Sequence, residues 1–88
     1  MAVSIQKRME IIMKKPRCLN DISPGQHARV YKINTTGSMR RRFLDIGLIK
    51  GTDVKCIGRS PAGDPTAYLI RGAVIALRND DCRDILIY

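Results

Sequence analysis

The chain predicts a small, mainly β fold, a five-stranded barrel with one short helix. Three observations carry that reading. The 88 residues suffice for one hydrophobic core and not for two. Beyond residue 18, apolar residues come in short runs that alternate with polar ones, each run bounded by Gly, Pro, Asn or Asp. Within that region only residues 38–47 carry helix signals at both ends. Closing the sheet into a barrel would remove the exposed edges that five short strands otherwise present.

Composition narrows the function classes. Sixteen Lys/Arg face eight Asp/Glu, a formal net charge of +8. No apolar run approaches the roughly 20 residues needed to span a bilayer. Apolar runs throughout the chain argue against wholesale disorder. Three cysteines, Cys18, Cys56 and Cys82, are too few and too widely spaced for a disulfide scaffold, and no Cys-x-x-Cys pair offers zinc ligands. The segment MAVSIQKRMEIIMKKP is broken by Gln6, Lys7, Arg8 and Glu10 and so lacks the continuous apolar stretch of a signal peptide. These features place the domain in a reducing cytosol.

Residues 1–17 form a basic N-terminal extension, in which Lys7, Arg8, Lys14, Lys15 and Arg17 are opposed only by Glu10. Ile5, Met9 and Ile12 fall at i, i+4 and i+7, which permits a short amphipathic helix that Pro16 would end. Residues 18–88 form the domain proper. Leu19 to Gly25 reads as an apolar entry followed by a turn. Ala28, Val30 and Ile33 are the inward positions of a first strand, and their broken alternation predicts a bulge near Tyr31.

Ser38 is an N-cap candidate and Gly47 a stop with positive φ, so residues 39–46 predict a two-turn helix. Met39, Phe43 and Ile46 share its inner face, with Leu44 flanking. Asp53–Arg59 is a second strand with Val54 and Cys56 inward. Residues 60–65 form a dense turn. Thr66–Ile70 and Val74–Arg78, joined through Arg71-Gly72-Ala73, predict a hairpin. A polar turn at Asn79–Arg83 leads to a last strand at Asp84–Tyr88.

One local rule is broken in the helix. Arg40, Arg41 and Arg42 would sit in its first turn, where the macrodipole is positive, at about 0.3–1 kcal/mol each. Arg41 and Asp45 can pair only in the weaker i, i+4 orientation. A rule broken without compensation marks a candidate binding surface for a phosphate or for the acidic side chains of a partner. The competing reading is a solvated basic face whose stems cover apolar surface.

Catalytic groups do not assemble. His27 is the only histidine and has no Ser or Cys arranged to use it. Asp80, Asp81 and Cys82 could offer oxygen and sulfur to a divalent metal, but nothing in their spacing fixes a geometry. There is no phosphate-binding loop. The chain therefore predicts a binding module that is not an enzyme and carries no cofactor.

Several segments, taken in order, resemble the FeoA family. These are Leu19-x-x-Ile22-x-x-Gly25-x-x-Ala28-x-Val30, then Arg41-Arg42-Phe43-Leu44-Asp45-Ile46-Gly47-Leu48, then Gly51-Thr52-Asp53-Val54. Gly63-Asp64-Pro65, Ile70-Arg71-Gly72 and Ile75-Ala76-Leu77-Arg78 continue the match over residues 18–88. The resemblance implies a barrel like Src-homology-3 (SH3) domains and a cytosolic accessory role in bacterial ferrous-iron uptake. Its implied partner is FeoB, a membrane transporter with a cytosolic GTP-binding domain. No metal ligands carry over with it. On that reading Arg40, Arg41 and Arg42 steer the partner, while Leu48, Asp64 and Pro65 supply contact surface. Two alternatives stand beside it: a nucleic-acid-binding barrel, suggested by the charge, and a detached metal-sensing domain like the C-terminal domain of iron-dependent repressors.

Overall fold

The computed structural model describes residues 17–88, and the short amphipathic helix that the sequence permits before Pro16 lies outside them. Chain order runs from a 3-10 turn at Leu19–Asp21 to β1 (His27–Ile33), α1 (Gly37–Asp45) and β2 (Asp53–Arg59). It continues through β3 (Thr66–Ile70), β4 (Ala73–Leu77), α2 (Asn79–Cys82) and β5 (Ile85–Ile87). The strands form one antiparallel sheet in the order β4-β3-β2-β1-β5. Among the described residues no helix is long and apolar enough to cross a membrane.

The expected closure is corrected. β4 and β5 do not pair, so the curled sheet stays open between them, with α2 linking the two strands. The far side of β5 is covered in another way. The Ile87 N–H donates to the Arg17 carbonyl at 2.9 Å, and Cys18 bridges to Leu86. Among the described residues β4 is left as the exposed edge.

The strands follow their alternation. Val54 and Cys56 on β2 are buried, as are Thr66, Tyr68 and Ile70 on β3. The hairpin loop is Arg71-Gly72 alone, with Ala73 already in β4. Both loop residues have positive φ, 49° and 83°, the requirement of a type I′ turn, whose twist matches that of the strands it joins. The β1–β5 register slips between Val30 and Lys32, which places the bulge at Tyr31 where the sequence predicted it. A second slip, between Cys56 and Gly58, had no signal in the sequence.

α1 begins earlier than its cap signal. Thr36 is the N-cap in place of Ser38 and makes no side-chain capping bond. It stops where expected, at Gly47 with φ of 83°. Phe43 is fully buried, Met39 and Ile46 pack against the same core, and Leu44 is exposed. Phe43, Tyr68, Leu19, Ile22 and Leu48 are the bulkiest of the side chains closed off from solvent.

Candidate functional site

The early start of α1 redistributes its charge. With Gly37 as the first helical residue, only Arg40 reaches the first turn, and Arg42 lies in the last, where the dipole favours a cation. The dipole conflict expected for all three arginines is thereby corrected to one. All three remain exposed, and Arg41 and Asp45 form no ion pair.

Arg40 and Arg42 look into different grooves. Arg42 lines a groove of about 260 Å³ with Met39, Pro65, Leu77, Arg78 and Asp81. Arg40 lines one of about 370 Å³ on the other flank of α1, together with Tyr31, Leu44, Ile49 and Lys50. Its guanidinium donates to the Ile33 carbonyl at 3.0 Å, which anchors the helix start to β1. Arg41 lines neither groove. Of the predicted set, the structure therefore brings together Arg42 and Pro65.

One predicted contact residue is corrected. Leu48 is 0% exposed; its N–H donates to the Phe43 carbonyl at 2.9 Å, and the side chain turns into the core. The exposed apolar residue beside it is Ile49. Asp64 is exposed, and its Oδ1 accepts from the Asn79 N–H at 3.0 Å at the start of α2. Asn79 is a hub that sequence reasoning missed. Its side chain donates to the Gly63 carbonyl at 2.9 Å and accepts from the buried Thr66 hydroxyl at 3.2 Å. Its own carbonyl accepts from Asn20 at 2.7 Å. Asn in a polar turn resembles any cap, and nothing in its spacing distinguished it.

The weak metal candidates do not converge. Cys82 is buried, and burial pushes its thiol up to about 12, a hydrogen bond with Tyr68 opposing the shift. Asp80 pairs with Arg83 at 3.4 Å on the surface, while Asp81 borders the Arg42 groove. Among the described residues, no three His, Cys, Asp or Glu side chains are grouped to hold an ion.

Comparison with known proteins bears on the family and the fold. Over 67 residues, 76% of this chain, the sequence is 27% identical to a Porphyromonas gingivalis Fe(2+) transport protein A/Fe(2+) transporter FeoB fusion protein. The chain spans only 8% of that protein's length. An FeoA-like protein from Clostridium acetobutylicum superposes with a TM-score of 0.76 at 33% identity, covering 86% of this chain and 88% of that one. A zinc-complexed FeoA from Stenotrophomonas maltophilia, described as an SH3 domain protein, superposes at 0.72 with 20% identity, covering 82% and 89%. The second likeness speaks to the fold, which is SH3-like. The family model for the FeoA domain matches residues 17–88, and the chain belongs to the FeoA family.

Proposed function

We propose that this domain is a non-enzymatic cytosolic accessory of bacterial ferrous-iron uptake that binds the cytosolic GTP-binding part of a FeoB-type transporter. The observation that carries the reading is the Porphyromonas gingivalis relative, which joins both functions in one chain. Such a tether raises the effective concentration of two modules without adding a contact between them. A direct surface contact would act beside or in place of such a tether.

Arg41 and Arg42 on α1, with Pro65 across the Arg42 groove, supply it in this proposal. Exposed cations act mainly on the encounter rate and on salt dependence, whereas Met39 and Pro65 provide apolar contact. Arg40 contributes charge from its anchored position.

The test is an NMR titration of labelled protein with the isolated GTP-binding domain. Saturable shifts are expected around Met39–Arg42 and Gly63–Thr66. Replacing Arg41 and Arg42 together by Ala should weaken association about tenfold at low salt while the spectrum stays folded. Unchanged affinity in that variant would sink the proposal.

A further inference from the structure

The described residues leave six large apolar side chains exposed, and four of them, Tyr31, Leu44, Ile49 and Tyr88, lie on one face around Lys50. Tyr31 is 46% and Tyr88 63% exposed. Contiguous exposed apolar surface of this kind marks interaction sites, whereas scattered residues do not. Two adjoining depressions, of about 370 and 530 Å³, meet at Lys50 and make the face concave.

Its rim is of one sign. Arg29, Lys32, Arg40 and Lys50 line the two depressions, and no Asp or Glu side chain does. The bulge in β1 builds the face, because it leaves consecutive residues Tyr31 and Lys32 both exposed after the buried Val30. β5 brings in Tyr88, whose N–H donates to the Arg29 carbonyl at 3.1 Å.

The geometry of the aromatic pair favours one class of partner. The rings meet edge to face, with centroids 5.1 Å apart and planes at 70°. The Lys50 ammonium sits over the Tyr31 ring, 5.6 Å from its centroid. A nucleic-acid base needs an open ring face to stack on, and here Lys50 occupies one. Leu44 and Ile49 instead offer an aliphatic slot beside the cations.

We propose that this face docks an acidic segment of another protein that carries aliphatic or aromatic anchors. The anchors enter between Leu44, Ile49 and the tyrosine pair, while carboxylates meet Lys50, Lys32 and Arg29. The face lies on the flank of α1 away from the Arg42–Pro65 groove and shares only Arg40 with the transporter surface, so the two readings are tested by different residues.

The experiment is an NMR titration of the full chain with a short synthetic peptide alternating Glu with Leu and Phe. A version with Lys in place of Glu and a single-stranded oligo-dT serve as comparisons. The acidic peptide should give saturable shifts at Tyr31, Leu44, Ile49, Lys50 and Tyr88. Lys50→Glu, and separately the double variant Tyr31→Ala/Tyr88→Ala, should each weaken it at least about tenfold with Tm unchanged. Arg42→Ala should leave it unchanged. No saturable shifts, equal binding of the Lys peptide, or insensitivity to Lys50→Glu would overturn the proposal. Stronger shifts of the same residues by oligo-dT would also overturn it, assigning the face to nucleic acid. The transporter reading fails separately, through the response to Arg41 and Arg42.

Discussion

Arg71 and Gly47 fit each other in shape as well as in hydrogen bonding. The Arg71 Nε donates to the Gly47 carbonyl at 2.8 Å, and its stem occupies the space that a Cβ on Gly47 would need, 2.5 Å from Cδ. The same carbonyl accepts from the Thr52 hydroxyl at 2.9 Å, and that hydroxyl accepts from the Ile49 N–H at 3.0 Å. The end of α1, the loop leading to β2 and the β3–β4 turn are thus fastened at one carbonyl.

Gly47→Ala therefore meets two obstacles, a backbone with φ of 83° and the Arg71 side chain. The expected loss is about 2–3 kcal/mol, seen as a fall in Tm of more than about 8 °C. In an Arg71→Ala background the steric part disappears. A double-mutant cycle should then show the second substitution costing less than it does alone; equal costs would refute the fit.

Asn79→Ala removes two side-chain bonds and leaves the buried Thr66 hydroxyl without its acceptor. Urea unfolding should report a loss of about 1–3 kcal/mol, against about 0.5–1 for Asp64→Ala, which removes one exposed bond.

Stability should fall with rising pH in the alkaline range. Burial raises the Cys82 thiol from its ordinary 9.0 to about 12, and raises Cys56 and Tyr68 in the same direction. The folded state then holds more protons than the unfolded chain, so stability present below about pH 9 is lost as pH climbs toward 12. The limiting slope is about 1.4 kcal/mol per pH unit for each proton. Denaturant midpoints followed upward from neutral pH would measure it, and Cys82→Ala should flatten the curve.

Leu48→Ala should cost about 2–5 kcal/mol, as expected of a core leucine, and should alter binding only through unfolding. Chemical denaturation separates this outcome from the contact role that its place in the sequence suggested.

β4 carries five apolar residues on an edge that no described strand pairs with, and Val74 is 64% exposed. Val74→Lys should change Tm little and should slow aggregation at high protein concentration, as followed by light scattering. Faster aggregation would show that the edge is protected by other means.

Much of the fold was legible because its signals are local. β2 is read from Val54 and Cys56 alternating with charge, and the end of α1 from a glycine that tolerates positive φ. Sheet opening was not legible, since it depends on how far β4 sits from β5 after curling. The exposure of Arg40, Arg41 and Arg42 followed from their charge, but the burial of Leu48 did not, because one apolar residue after a glycine has no period. The Tyr31–Tyr88 face was invisible for a different reason: its halves come from opposite ends of the domain and meet only through β1–β5 pairing. Asn79 was missed because a hub and an ordinary cap are written with the same residue.

The bulge at Tyr31 changes the parity of β1. Ala28 and Val30 are even-numbered core positions, whereas Ile33, which packs against the same core, is odd. Deleting Tyr31 would leave Val30-Lys32-Ile33 as a plain in-out-in sequence. The inward phase of every flanking residue would survive. The exposed aromatic thus occupies the one position in this strand that the core does not count, and its surface can be rewritten or removed without a frameshift in the packing beneath it.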